Sequence, residues 1–207
     1  MELDNIIYPG FNKTLSELNA ISKIKKKSCE IVDLTEIEWV RDVLRHRVEE
    51  VGTYDIKFRK PTDEEIKSVS EIVGADINID ELKNNFHKNK RIIGITSGKG
   101  GVGKSTITSL LGIAFDELGK KVGIMDSDIW GYSVPKILGA KFPPIPFNER
   151  IFPSRINNLN VISMDYFVKQ DEAVIWRGPM LHKAIEQFLF CLLYTSDCRR
   201  RVLCRSR

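Results

Sequence analysis

The sequence predicts an α/β fold, in which a small N-terminal α/β domain precedes an incomplete parallel-sheet domain. Short apolar runs of the strand type alternate with amphipathic helical segments as far as Phe190. The glycine-rich run Gly98–Thr106 lies between a predicted strand and a predicted helix, which is the arrangement of a phosphate-binding loop. We expect four segments: a domain over 1–77, a linker over 78–90, a partial domain over 91–190 and a tail over 191–207.

The first domain is predicted from its alternation of strand and helix patterns. Thr35–Glu38 has the spacing of a capping box, and apolar residues then recur at three- and four-residue spacing as far as Val51. The predicted elements, in chain order, are strands over Ala20–Lys27 and Ser28–Leu34, a helix from Ile37, a strand over Tyr54–Phe58 and a helix opened by Thr62 and Glu65.

The second domain continues the alternation in the order expected of a parallel sheet. Apolar residues of its first helix share one face: Ile107, Leu110, Leu111, Ala114 and Leu118. Residues 139–153 contain four prolines and are predicted to be loop. The predicted elements are strands over Arg91–Thr96, Val122–Met125, Leu159–Met164 and Ala173–Trp176, and helices over Lys104–Leu118 and Pro179–Phe190.

The glycine-rich run fits the pattern G-x-x-x-x-G-K-[ST]. Its glycines allow backbone angles that turn successive N–H groups toward a phosphate, and the following helix adds the positive end of its dipole. Lys104 supplies a charge for the β- and γ-phosphates, and the Ser105 hydroxyl can ligate Mg²⁺. A chance glycine-rich turn is the alternative. The predicted nucleotide-binding residues are Gly98, Lys99, Gly100, Gly101, Val102, Gly103, Lys104, Ser105 and Thr106.

Two aspartates follow the predicted strand Val122–Met125. Because ligands bind at the carboxyl ends of strands in open α/β sheets, we expect Asp126 to hold Mg²⁺ through water, together with Ser105. We expect Asp128 to orient the attacking water, and a capping role in the loop is the alternative for either carboxylate. The candidate catalytic residues are Lys99, Lys104 and Asp128.

Composition argues against several other classes of protein. The apolar runs are shorter than a membrane span needs, and the N-terminus lacks the pattern of a secretory signal. The net charge of +4 arises in the tail, because acids and bases are equal in number over the remaining residues. Four scattered cysteines do not form a disulfide framework. We therefore expect a cytoplasmic protein that binds neither membrane nor nucleic acid.

Residues 191–207 are predicted to be foreign to the protein. Cys191–Ser196 can be encoded by a DNA string that resembles the transposon end used in preparing sequencing libraries. The amphipathic pattern also stops at Phe190, before a segment rich in arginine and cysteine. We expect a translated adapter here, so that Cys191, Cys198 and Cys204 have no function.

Lys99 stands immediately before a pair of glycines, and the form Lys-Gly-Gly-x-Gly-Lys-Ser resembles the deviant Walker A group of ATPases. That resemblance implies a homodimer in which Lys99 reaches the nucleotide bound to the other subunit. A solvated surface lysine is the alternative.

Three segments resemble the Mrp-type iron–sulfur cluster carrier ATPases: Gly94–Thr106, Val122–Pro135 and Val174–Phe188. The first sixty residues resemble the small iron–sulfur assembly domain that often precedes this ATPase. The resemblance implies a P-loop NTPase that uses ATP and Mg²⁺ and delivers iron–sulfur clusters to apoproteins. The run Trp176–Met180 favours this family over the partition and septum-positioning ATPases, which are the alternative function.

Several elements of the family pattern are absent from the sequence. The assembly domain usually has a Thr-x-Pro-x-Cys loop where Thr35–Glu38 stands, and Tyr132 replaces the usual proline. The Walker B strand is expected soon after Phe190 and the Cys-x-x-Cys pair much later. We therefore expect no iron–sulfur ligand in this chain, an inactive fragment, and an unpaired edge on the strand Arg91–Thr96.

Overall fold

The structure is a computed structural model that describes residues 3–25, 28–78, 91–128, 131–167, 178–194 and 201–205. The predicted α/β class is confirmed by its alternating helices and strands. The chain divides into two compact units. Residues 79–90 of the predicted linker, and the predicted strand Ala173–Trp176, lie outside the described residues.

The first unit comprises Met1–Asp76 together with Pro146–Arg150. Strand β3 is antiparallel to β4, β4 is parallel to β5, and β1 and β2 form a separate antiparallel pair. Helix α1 buries Val40, Leu44 and Val48, the stripe expected from its four-residue spacing. The elements are β1 (Ile7–Tyr8), β2 (Lys13–Thr14), β3 (Ile21–Lys25), β4 (Ser28–Val32), α1 (Glu38–Glu49), β5 (Asp55–Arg59) and α2 (Asp63–Val73).

The start of α1 differs from the prediction. The expected capping box at Thr35–Glu38 does not form, and Ile37 occupies the N-cap without a side-chain hydrogen bond. The buried Asp33 carboxylate accepts the N–H of Glu36, which precedes the N-cap, at 3.0 Å and also binds the Arg41 guanidinium. Asp33 therefore connects the segment before the helix to a side chain of α1.

The second unit is built on a five-stranded sheet in the order β10-β11-β7-β12-β6. All neighbouring strands are parallel except β10, which is antiparallel to β11. Among the described residues no helix has the length and hydropathy of a membrane span. The elements that follow α2 are β6 (Arg91–Ile95), α3 (Lys104–Glu117), β7 (Val122–Asp126), α4 (Val134–Ile137), β8 (Ile145–Phe147), β9 (Arg150–Phe152), β10 (Ser154–Ile156), β11 (Leu159–Ser163), α5 (Gly178–Tyr194) and β12 (Arg201–Arg205).

Helices α3 and α5 cover opposite faces of this sheet. A Cβ added at Gly112 of α3 would lie 2.6 Å from Cδ1 of Ile124, whereas one added at Gly123 would lie 3.3 Å from Leu192 of α5. Since neighbouring residues of a strand point to opposite faces, the two helices sandwich β7. Its side chains accordingly belong to the core of the unit.

The apolar face of α3 that is visible in the sequence is not the face that packs on the sheet. Thr108, Ser109 and Gly112 are buried there, because small residues let the helix approach the strands closely. Leu111 packs against the core, but Leu110 is 59% exposed. The exposed large apolar side chains of this helix and its C-cap are Ile107, Leu110, Ile113 and Leu118.

Residues beyond Phe190 take part in the fold, contrary to expectation. Helix α5 continues to Tyr194, and its residue Leu192 is fully buried. Strand β12 lies between β6 and β7, parallel to both, so the expected unpaired edge of β6 on this side is wrong. The facing edges of β6 and β7 present backbone N–H and C=O groups that need partners, and an extended segment between the two strands can supply them. The adapter origin of 191–207 stays a prediction.

The predicted loop 139–153 contains a β-hairpin made of β8 and β9. Its two turn residues, Asn148 and Glu149, have φ values of 46° and 59°. Positive φ at both positions is typical of the tight turn that matches the twist of paired strands. Four prolines nearby hid this signal, since proline is uncommon within strands.

The tip of this hairpin, Pro146–Arg150, belongs to the first unit. The Asn148 amide donates to the Ser70 hydroxyl at 2.8 Å, and the Arg150 guanidinium donates to the Ala75 carbonyl at 3.1 Å. The second unit is therefore interrupted at this point, unlike the continuous domain 91–190 that the sequence predicts.

Two neighbouring leucines of α3 test which face of the helix is buried. Leu110→Gln is expected to leave the melting temperature unchanged and to reduce aggregation, because that side chain is exposed. Leu111→Gln should lower the free energy of unfolding by about 1–3 kcal/mol, because it buries an amide in the core. Equal destabilisation by both substitutions, measured by thermal denaturation of the 207-residue chain, would contradict this packing.

Candidate nucleotide-binding site

The candidate site lies at the carboxyl edge of the five-stranded sheet. The loop Gly98–Thr106 leaves β6 and enters α3, while β7 ends at Asp126. Strand β12 holds the two strands in a common register, because Arg205 pairs with both Ile95 and Asp126. The predicted phosphate loop and the predicted metal carboxylate therefore lie at the same edge of the sheet.

The backbone of the loop has the conformation that its glycines permit. Gly101 and Gly103 have φ values of 74° and 88°, in the left-handed region that side chains disfavour. A Cβ built on Gly98, Gly100, Gly101 or Gly103 would meet no atom within 4 Å, so the loop borders open space. No side chain caps the N-terminus of α3. Its first N–H groups are therefore donors without a side-chain acceptor, as an anion site requires.

Lys104 is held across the loop. The residue is 7% exposed, and its Nζ donates to the Lys99 carbonyl at 3.4 Å. The Ser97 hydroxyl accepts the N–H of Lys99 at 3.2 Å and so orders the same peptide. The Lys99 side chain itself is exposed, which is compatible both with a solvated lysine and with one that reaches a second subunit.

Asp126 organises the loop that follows β7. The residue is fully buried, and its Oδ1 accepts the N–H of Asp128 at 3.3 Å. Its Oδ2 accepts the N–H groups of Ser133 at 3.1 Å and Val134 at 3.2 Å, which begin α4. The carboxylate therefore has the capping geometry that the sequence left open as an alternative. Metal binding through water stays a prediction.

Asp128 also takes part in the loop. The residue is 4% exposed, and its Oδ1 accepts the N–H of Gly131 at 3.0 Å. Tyr132, which replaces the proline of the family pattern, places its ring 5.8 Å from the Lys136 ammonium. The structure thus gives Asp128 a structural contact, and its role toward water stays a prediction.

Ser105 contacts a residue that the sequence did not single out. The Ser105 hydroxyl is 2.6 Å from the hydroxyl of Ser133, and Ser105 is 8% exposed. Ser133 thereby joins Ser105 to Asp126, whose carboxylate accepts its N–H. Ser133 and Ser97 are the site residues that sequence reasoning missed. A single serine carries no motif, and only the path of the loop brings Ser133 back to α3.

The donors at this edge fit Mg²⁺ better than a softer metal. Ser105, Asp126 and Asp128 offer oxygen atoms, which hard cations prefer. Among the described residues no group of three or more His, Cys, Asp or Glu side chains could hold a metal ion by itself. In nucleotide sites Mg²⁺ commonly keeps several waters and takes other ligands from bound phosphates.

Substitution of Asp126 separates its two predicted roles. Asp126→Ala leaves the N–H groups of Asp128, Ser133 and Val134 without their acceptor. The free energy of unfolding should fall by about 2 kcal/mol or more without metal or nucleotide, since each buried orphan costs about 1–3 kcal/mol. Denaturant unfolding in EDTA measures this, with Asp116→Ala as the control. If the variant were as stable as the wild type, Asp126 would have no structural role, and metal binding would be its only predicted role.

Comparisons with known proteins find several similar sequences. A family model described as ParA, the NUBPL iron-transfer P-loop NTPase, matches residues 88–196. The iron–sulfur cluster carrier protein of Aquifex aeolicus is 33% identical over 197 residues, which cover 87% of this chain and 54% of that protein. The carrier protein of Rickettsia bellii is 49% identical over 100 residues, 48% of this chain and 31% of that protein.

A solved structure is also similar to the chain. It is a nucleotide-binding protein of Archaeoglobus fulgidus in complex with ADP, 28% identical with a TM-score of 0.45. The match covers 62% of this chain and 49% of that one.

The chain spans about half the length, or less, of these curated relatives. The resemblance to the iron–sulfur carrier ATPases is confirmed, and the partition and septum-positioning alternative is not favoured. Since the family model covers more than half of its residues, this chain belongs to the NUBPL iron-transfer P-loop NTPase family.

Proposed function

We propose that the chain binds ATP with Mg²⁺ through the loop Gly98–Thr106 and serves as the nucleotide-binding part of an iron–sulfur cluster carrier. One observation carries the nucleotide proposal. The buried Lys104 ammonium lies across an open glycine loop at the uncapped N-terminus of α3. A cation, free N–H donors and a helix dipole all point to a bound polyphosphate.

Each part of the loop has a distinct task in this proposal. The N–H groups of the glycine run and the first turn of α3 donate to phosphate oxygens, while Lys104 exchanges its contact with the Lys99 carbonyl for the β- and γ-phosphates. The Ser105 hydroxyl would hold Mg²⁺ directly, and Asp126 would hold it through water. The metal supplies charge that offsets the phosphates. Asp128 is proposed to orient the attacking water.

The iron–sulfur cluster is cargo in this proposal and has no proposed ligand in the chain. Apoprotein acceptors and a homodimer are proposed from the family resemblance and from the printed names of the relatives. Cytoplasmic location is proposed on the same basis.

Hydrolysis is proposed for the whole carrier and not for these 207 residues. In the family pattern a Walker B strand ending in aspartate lies beside the P-loop strand. The strand that occupies this position here, β12, contains no carboxylate, and Arg205 lies in register with Asp126. Without that acid the site lacks one expected Mg²⁺ contact.

Replacement of the loop lysine tests the nucleotide proposal. Lys104→Ala should abolish ATP binding measured by calorimetry, because it removes the cation that lies over the loop. Lys141→Ala is the matched control, since this exposed lysine of the same unit lies outside the loop. Normal ATP affinity in Lys104→Ala, with a folded protein, would refute the assignment.

A second substitution distinguishes the two interpretations of Lys99. If its exposed side chain reaches the other subunit, Lys99→Ala should bind ATP normally and lose ATP-dependent self-association in sedimentation velocity. Lys141→Ala should associate like the wild type. An unchanged sedimentation shift in Lys99→Ala would make Lys99 a solvated surface residue.

A further inference from the structure

Ser133 occupies a position between the two residues predicted to hold Mg²⁺. Its N–H donates to Oδ2 of Asp126 at 3.1 Å, and its hydroxyl lies 2.6 Å from the Ser105 hydroxyl. One residue, twenty-eight positions after Ser105, therefore contacts both predicted metal ligands. Neither the sequence motif nor the family resemblance assigns it a role.

The Ser133 hydroxyl does not make the hydrogen bond that its position in the chain predicts. Ser133 is the N-cap of α4, and N-cap serines usually accept an N–H from the first helical turn. Here the side chain makes no capping hydrogen bond, because the Asp126 carboxylate accepts the N–H groups of Ser133 and Val134 instead. Asp126 thus fixes the backbone of Ser133 and leaves its hydroxyl directed at Ser105.

A hydroxyl that ligates a cation offers a lone pair to the metal and must place its proton elsewhere. In the structure the Ser133 hydroxyl donates to the Ser105 oxygen at 2.6 Å, which occupies one lone pair of Ser105. Because both groups are hydroxyls, the same contact can also form with Ser105 as the donor and Ser133 as the acceptor. The direction of this one hydrogen bond therefore affects how well Ser105 binds a metal.

We propose that Ser133 is a positioning residue for Mg²⁺: with the metal bound, the hydrogen bond between the two hydroxyls reverses, so that Ser105 donates to the Ser133 oxygen and directs a lone pair toward the metal. The proposal rests on the proposed function, because it concerns the same nucleotide site. It also links the two halves of the site.

The test compares ADP affinity in EDTA and in Mg²⁺ by calorimetry, using the 207-residue chain. For the wild type, Mg²⁺ should strengthen ADP binding. We call the ratio of the ADP affinity in Mg²⁺ to the ADP affinity in EDTA the metal gain. In Ser133→Ala this gain should fall about tenfold, while the affinity in EDTA stays within about twofold. Ser109→Ala is the control, because its buried hydroxyl lies on α3, the helix that carries Ser105, and has no hydrogen-bond partner among the described residues.

A near-isosteric pair repeats the comparison at constant volume. Ser133→Thr keeps the hydroxyl and should keep the metal gain, whereas Ser133→Val should lose it. This pair also decides the matter if the alanine variant fails to fold. A full metal gain without the hydroxyl would overturn the inference, as would an equal loss of ADP affinity in EDTA and in Mg²⁺. Absence of ADP binding by the wild type in either buffer would refute the proposed function itself.

Discussion

A buried carboxylate needs hydrogen-bond donors, and in this chain that requirement shapes the candidate site. Asp126 is fully buried at the end of β7, where an unpaired charge would be costly. Its donors are backbone N–H groups of the loop that follows, including the two that begin α4. The loop must therefore fold back over the end of the strand. That return brings Ser133 to Ser105 on α3 and joins the two halves of the site.

The parallel sheet provides the frame on which this contact depends. Strands β6, β12 and β7 share one register, so the glycine loop after β6 and the carboxylate after β7 emerge at the same edge. Helix α3 can lie close to the sheet because Thr108, Ser109 and Gly112 face it. Ile107, Leu110 and Ile113 of this helix are exposed, whereas Leu111 packs against the core. Among the described strands β6 is the last of the sheet.

The parts of this molecule that could be predicted from sequence are those with a local physical cause. The phosphate loop was identified from glycines, a lysine and a serine at fixed spacing, since each residue type has its own physical role in such a loop. Two of these glycines do have positive φ in the structure. The α/β class followed from periodicity. The buried face of α3 could not be predicted from periodicity, because it depends on the distance between the helix and the sheet. Ser133 was missed for a similar reason, since its partner is distant in sequence.

Two other differences have specific physical causes. The hairpin of β8 and β9 was hidden by prolines, although Asn148 and Glu149 carried the turn signal. Strand β12 was unexpected because the amphipathic pattern ends at Phe190 and 191–207 shows no periodicity. A short extended segment nevertheless suffices to pair with the two strands β6 and β7. In both cases backbone hydrogen bonding, more than side-chain pattern, determined the outcome.

The central claim is that Gly98–Thr106 binds the phosphates of a nucleotide and that Ser105 and Asp126 lie at its metal. A crystal structure of the 207-residue chain with Mg²⁺ and ADP tests this most directly. The account predicts phosphate oxygens within hydrogen-bond distance of the N–H groups of the loop and of Lys104. It also predicts Mg²⁺ on the Ser105 hydroxyl, with Asp126 contacting it through water. A nucleotide bound elsewhere, or a metal without Ser105 among its ligands, would contradict the account.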